Sequence, residues 1–161
     1  MNDIKNMKVY FASPWFNSEQ AEREDRVKNK LRELGFNVWS PKDNCVCSPI
    51  ADEEMRKKVF KDNCDNIDNC DIIFAITDGK DMGTIWEAGF ACGINHICNG
   101  RINSIKPIKI VYYCETLGPN GQFNLMLAQS GDIVITKFKD LDKLPELILK
   151  DEGLAYAGIV E

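Results

Sequence analysis

The sequence predicts an α/β fold of the flavodoxin-like, doubly wound type: a five-stranded parallel sheet with helices on both faces, in strand order 2-1-3-4-5. Three observations predict it. Short apolar runs of strand length alternate with longer helical stretches along the whole chain. The run Ile72-Ile73-Phe74-Ala75-Ile76 is apolar throughout and short enough for a buried strand. The length, 161 residues, suits one domain spanning 1–161, with room for a real core and no repeat or low-complexity linker.

Taken in order, Lys8-Val9-Tyr10-Phe11-Ala12 is the first strand, and Ser13-Pro14 breaks it. Asn17 is the N-cap of the first helix, with Gln20 as its capping-box partner. Val27, Leu31 and Leu34 mark the apolar stripe of that helix, residues 22–26 its solvated face, and Gly35 its C′ stop. Phe36-Asn37-Val38-Trp39-Ser40 alternates as a second strand, which Pro41 ends. Residues 42–48 read as a loop, and a second helix runs from Pro49 or Ile50 to Asn69. Its Met55, Val59, Cys64 and Ile67 are apolar, but Asp62, Asn63, Asp65, Asn66 and Asp68 are poor formers of helix interiors. Solvation explains most of these, and some are candidates for chemistry. Residues 71–76 form the third strand, and a helix follows from near Gly83 to about Cys98. The fourth strand is 108–113, a turn-rich loop spans 118–121, and 124–127 is a short apolar piece. The fifth strand is 132–136 and a C-terminal helix covers 141–149.

Composition excludes several function classes. The net charge is −5 with no Lys/Arg block, which disfavours a nucleic-acid partner. No apolar run approaches the roughly 20 residues of a membrane span, and the polar start carries no secretory core. The seven cysteines are odd in number and form no Cys-x-x-Cys pair, so they read as buried, reduced thiols of a cytoplasmic protein. His96 is the lone histidine and sits near a helix end, so no metal site is expected. No Gly-x-Gly-x-x-Gly, phosphate-binding loop or Gly-x-Ser-x-Gly elbow occurs, and no cofactor is expected.

Carboxylate chemistry remains. In doubly wound sheets, ligands sit beyond the carboxyl ends of the strands. Those ends here deliver residues 10–16, 41–44 and 77–81, and the loop before Asn124. Glu87 lies about one turn inside the helix after the third strand, among Trp86, Ala88, Gly89 and Phe90. The small Ala88, Gly89, Ala91 and Gly93 would let that helix lie close to another backbone. A carboxylate there is desolvated, which is costly unless it is used. The bland alternative is an exposed glutamate, and for Tyr10, Trp15 and Phe16 it is core packing. Glu87, Asp81 and nearby Asp78 supply carboxylates in different environments, as glycosyl transfer requires.

Five segments resemble one family, the nucleoside 2-deoxyribosyltransferases. They are residues 8–16 (KVYFASPWF), 41–44 (PKDN), 69–75 (NCDIIFA), 81–89 (DMGTIWEAG) and 123–126 (FNLM), in the family's order and on the expected strand ends. The resemblance implies that Glu87 is a nucleophile toward C1′ of a 2′-deoxyribonucleoside. The resulting deoxyribosyl ester would be resolved by a second purine or pyrimidine base with retention. It implies that Tyr10 orients Glu87 and crowds the 2′ position. Asp81 would accept from the 5′-hydroxyl, with Asn124 of a neighbouring subunit helping, so a homo-oligomer is implied. Trp15, Phe16, Asp43 and Asn44 would line the base pocket, and Met126 belongs to the late substrate motif.

Three positions depart from the family pattern. Asn63 stands where many members carry an Asp that helps protonate the leaving base, and an amide is no proton donor of that kind. Asp62, Asp65, Asp78 or water could serve instead. Cys45 stands where some members have Gln, and Ser13 where Gly is frequent. The rival readings are an N-glycosidase of 2′-deoxynucleoside 5′-monophosphates and a non-enzymatic nucleotide-binding domain.

Overall fold

The computed structural model of the chain describes residues 4–101 and 106–161, and the side chains of 98–101 lie outside the described set. Strands β1 (Lys8–Ala12), β2 (Asn37–Trp39), β3 (Ile72–Ile76), β4 (Lys109–Tyr113) and β5 (Ile133–Ile135) form one sheet in the order β2-β1-β3-β4-β5. Every pairing is parallel, and Tyr10 lies between Trp39 and Ile73. The expected topology is the observed one.

The two-residue period of a strand sorts the core into two layers. Val9, Phe11, Phe74 and Val111 face helices α1 (Ser18–Glu33) and α6 (Leu144–Leu149), meeting Val27, Leu31, Leu144 and Ile148. Tyr10, Ala12, Ile73 and Tyr112 face the other way, toward α3 (Glu53–Asp68) and α4 (Met82–Arg101), meeting Ile67, Ala88 and Ala91. The methyl side chains of Ala88 and Ala91 let α4 lie close on the sheet. Gly89 and Gly93, expected to share that role, have open space where a Cβ would stand. The Asn95 amide clasps the start of β4, donating to Ile108 O and accepting from Ile108 N, both at 2.7 Å.

Local signals place the helix ends. Asn17 Oδ1 accepts from Gln20 N at 2.9 Å, while Gln20 Oε1 reaches past the cap to Phe16 N. Gly35 follows α1 with φ of +96°, a backbone that glycine adopts without strain. Two expectations need correction. The supposed loop begins with a one-turn helix, α2 (Pro41–Asn44), because Pro41 at its first position is pre-set for helical φ. The next helix starts later than Pro49 or Ile50, because Asp52 caps it by accepting from Met55 N at 2.8 Å. At the C-terminus, a 3-10 stretch, Phe138–Lys143, precedes the short α6.

The third correction concerns charge. Residues 22–26 were expected in solvent, yet Glu24 is fully buried. It accepts from Lys28 Nζ at 2.9 Å, Lys42 Nζ at 2.8 Å and Ser40 Oγ at 3.3 Å. Lys28 and Arg32 also grip the two oxygens of Asp43 at 2.8 and 2.7 Å. This network ties α1 to the carboxyl end of β2. The thiols divide similarly: Cys70 and Cys114 are buried, Cys47 is exposed, and the side chain of Cys98 is outside the described residues. Among the described residues, no helix is long and apolar enough to cross a membrane.

Removing Glu24 takes the buried carboxylate away from Lys28 and Lys42 and leaves them only the more exposed Asp43 and Asp25, and breaking a buried ion pair costs about 3–5 kcal/mol. Glu24→Ala is expected to lower the urea unfolding free energy by about 3 kcal/mol. Glu22→Ala on the exposed face should change it by under about 0.5 kcal/mol. Equal midpoints for the two variants would show that the buried network does not hold α1 in place.

Candidate active site

Tyr10 and Glu87 form the centre. Tyr10 is 1% exposed and stacks on Trp39 with ring centroids 5.2 Å apart, so packing fixes where its hydroxyl points. That hydroxyl donates to Glu87 Oε1 at 2.6 Å. The order β1-β3 makes the contact feasible: α4 leaves β3 and lies back over β1. Glu87 is half-buried. Burial pushes its carboxyl up to about 7, the Tyr10 hydrogen bond opposes this, and the Asp81 carboxylate adds to it. Burial, followed by the Glu87 charge, holds the Tyr10 phenol far above its ordinary range, so Tyr10 stays a donor. Tyr10 is thus a core aromatic whose hydroxyl reaches the candidate site.

The turn after β3 delivers Asp81. Gly79 and Lys80 both adopt positive φ, +83° and +53°, which reverses the chain sharply before α4. Asp81 Oδ2 then accepts from Thr84 N at 2.7 Å and Thr84 Oγ1 at 2.9 Å, capping the helix. Its Oδ1 carries no intramolecular hydrogen bond among the described residues. Asp78, expected from the sequence as a candidate acid, is engaged by backbone groups. It is 2% exposed, and its oxygens accept from Glu115 N at 3.0 Å and Thr116 N at 2.6 Å. A carboxylate so placed is an anchor, holding the β3 turn to the loop after β4.

The remaining expected residues fall into three groups. Asn63, on α3, accepts a hydrogen bond from Cys45 Sγ at 2.9 Å. Asp43, expected in the base pocket, turns to Lys28 and Arg32 on α1, because two cations outbid a neutral base for its oxygens. Asn44 donates back to Ser40 O at 2.9 Å. Trp15 and Phe16 stack with centroids 5.6 Å apart on the loop after β1, and Phe16 is 72% exposed. Asn124 caps α5 (Leu125–Ser130), its Oδ1 accepting from Met126 N and Leu127 N at 3.0 and 3.3 Å. Asn124 and Met126 line a cavity of about 650 Å³ with Thr77, Lys80 and Ile85. Neither Tyr10 nor Glu87 lines it. Two residues apart on a helix means roughly 200° of rotation, so Ile85 and Glu87 look to opposite flanks of α4.

Sequence reasoning missed Trp39, Thr84 and the setting of Cys45 and Cys64. Trp39 was findable, because parallel pairing of the first two strands seats it beside Tyr10. Thr84 was findable from the three-residue spacing after Asp81. Cys45 offered no signal, since nothing in a loop cysteine announces its neighbours. Burial, then Asp62 and Glu87, pushes the Cys45 thiol up, and Glu87 also opposes ionisation of Cys64. Ser13 Oγ, just past β1, is buried with no hydrogen-bond partner among the described residues.

The sequence model of the nucleoside 2-deoxyribosyltransferase family matches residues 9–154. A 2-deoxyribosyltransferase from the psychrotolerant bacterium Bacillus psychrosaccharolyticus is similar in structure, with TM-score 0.74 and 28% identity over 92% of this chain and 98% of that one. A conserved protein from Enterococcus faecalis V583 shares the fold at TM-score 0.52 and 20% identity, over 96% of this chain and 81% of its own. So does a CMP N-glycosidase from Clostridium botulinum, at TM-score 0.52 and 18% identity, over 86% and 98%. No curated protein matches significantly. A match that runs from β1 past β5, across the Tyr10–Glu87 pair and the Asp81 cap, settles the lineage: the chain belongs to the nucleoside 2-deoxyribosyltransferase family.

Proposed function

We propose that this chain exchanges the base of 2′-deoxyribonucleosides through a covalent deoxyribosyl ester on Glu87, with retention at C1′. The observation that carries this reading is the 2.6 Å hydrogen bond from Tyr10 to Glu87 Oε1. It fixes one carboxylate oxygen, while Oε2 has no intramolecular hydrogen bond among the described residues. Oε2 attacks C1′ as the N-glycosidic bond breaks and its electron pair leaves with the base. A nitrogen of the second base then attacks C1′ from the vacated face. The ester C–O bond breaks, the carboxylate is restored, and the incoming base loses its proton.

The other residues bind and orient. Asp81 Oδ1 accepts from the 5′-hydroxyl, and Asn124 of a neighbouring subunit approaches the same hydroxyl, making the active form a homo-oligomer. Exposure of Asn124 and of Met126, at 73%, suits a contribution to another subunit's site. Trp15, Phe16 and Asn44 wall the base, and Tyr10 crowds the 2′ position. A reading as a 5′-monophosphate N-glycosidase is weaker here, since the Asp81 carboxylate would oppose the phosphate.

Intact mass spectrometry after mixing with deoxyinosine is expected to show a deoxyribosyl adduct on Glu87. Glu87→Ala should lose the adduct and at least about 10³-fold in turnover. A folded Glu87→Ala variant exchanging bases at the wild-type rate would falsify the assignment.

The nucleophile must be ionised, and its carboxyl sits at about 7. Accordingly, kcat/KM should rise with pH to a plateau above that value and fall as pH drops through it. Tyr10→Phe removes the bond that favours the carboxylate, so the ascending limb should move to higher pH. The same raised value means that folding favours protonated Glu87. That contribution is present below the ordinary carboxyl range and lost as pH rises through about 7. A Glu87→Gln variant should therefore gain thermal stability over wild type at pH 8 and not at pH 4.

Asp81→Ser removes the repulsive charge. The ratio of activity on deoxyinosine 5′-monophosphate to that on deoxyinosine should increase by about tenfold or more. An unchanged ratio would mean that Asp81 does not face the 5′ position.

A further inference from the structure

Asn63 poses a chemical problem that the reaction above leaves open. A departing base takes the glycosidic electron pair with it and needs its charge stabilised or a proton supplied. An amide supplies no proton at working pH, but it can place an N–H donor where charge develops. A donor is useful only if it is held, and a free amide can rotate to present its oxygen instead.

The structure holds it. Asn63 sits on α3, the helix packed beside α4, and its Oδ1 accepts from Cys45 Sγ at 2.9 Å. With Oδ1 engaged, Nδ2 is the group left over, and it makes no hydrogen bond among the described residues. The direction of the contact follows from the thiol's surroundings. Cys45 is partly buried, and Asp62 and Glu87 both oppose its ionisation, so it keeps its proton. A neutral thiol beside an amide donates to the oxygen in preference to accepting from the nitrogen, because sulfur is a weak acceptor. Phe60, three residues before Asn63 on α3, meets Trp86, the chain neighbour of Glu87, with ring centroids 5.5 Å apart, which sets the Cys45–Asn63 pair beside the Glu87 segment of α4.

We infer that Cys45 is a positioning residue: its S–H bond to Asn63 Oδ1 turns the amide so that Nδ2 donates to a ring acceptor of the leaving purine. The inference rests on the base-exchange reading. Its recognition chemistry is one N–H donor for one imino nitrogen, either N3 or N7 of the purine. No proton changes hands. The donor stabilises the anionic base as it leaves, and protonation follows from water.

The test measures single-turnover base release from 2′-deoxyadenosine and its 3-deaza and 7-deaza analogues, with free-adenine binding by calorimetry alongside. Cys45→Ala is expected to slow release from deoxyadenosine about fivefold to tenfold, the scale of one hydrogen bond. Cys45→Ser, whose hydroxyl can also donate, should recover most of that loss. One of the two deaza analogues, lacking the acceptor used, should be indifferent to Cys45→Ala. A Cys45→Ala/Asn63→Ala double variant should be no slower than Asn63→Ala alone. Unchanged release in Cys45→Ala, an additive double variant, or equal losses on both analogues overturns the inference while base exchange stands. A wild-type chain that neither releases nor binds adenine overturns both.

Discussion

One hydrogen bond organises the functional end of this molecule. The Tyr10 hydroxyl reaches Glu87 at 2.6 Å from a ring wedged against Trp39, so the position of the carboxylate is set by the packing of the sheet itself. Topology supplies the rest. Because β1 lies beside β3, the helix leaving β3 passes over β1 and brings its second turn to the phenol. Ala88 and Ala91 allow the approach, since larger side chains there would lift α4 away from the strands. The result is a carboxyl desolvated enough to titrate near neutrality yet held by a donor that steadies its charged form.

A desolvated carboxyl is costly to the fold, and ionic networks at the carboxyl ends of the strands fasten together the elements around it. Glu24, wholly buried, gathers Lys28, Lys42 and Ser40 and fastens α1 to the end of β2. Glu115 accepts from Arg26 at 2.7 Å and from Tyr113 at 2.6 Å, joining α1 to the loop after β4. Asp78 binds that loop to the turn after β3 through two backbone N–H groups. Loops at a ligand-binding edge expose backbone groups that no strand satisfies, and buried carboxylates are the acceptors that remain.

Asp81 shows how a residue can serve both the scaffold and the site. One oxygen caps α4 through Thr84, and this fixes the side chain so that the other oxygen is presented outward. The cap and the proposed ligand contact are thus one rigid unit. Asn124 repeats the device on α5, its oxygen spent on the cap and its amide nitrogen without a hydrogen bond among the described residues. In both cases a polar side chain at a helix start gains orientation from the orphan N–H groups that every helix start carries.

Local pattern alone determined the strands, their buried character, the doubly wound order, the Asn17 cap, the Gly35 stop and the segment around Glu87. Each depends on near neighbours in sequence or on general rules of parallel sheets. The family motifs named Tyr10, Glu87 and Asp81 for the same reason. What the chain could not announce was which partner each charge would find. Glu24 looks like solvated surface in sequence and Asp43 like a base-pocket residue, and they come to share Lys28, Glu24 buried and Asp43 at the rim, only when β2 docks beside α1. Asp78 looks like a catalytic candidate until two backbone N–H groups from a distant loop claim it. Cys45 and Asn63, 18 residues apart, meet only once α3 is in place. Hydrophobic periodicity is a property of consecutive residues, whereas a hydrogen bond depends on distance in space, and only the folded chain sets that distance.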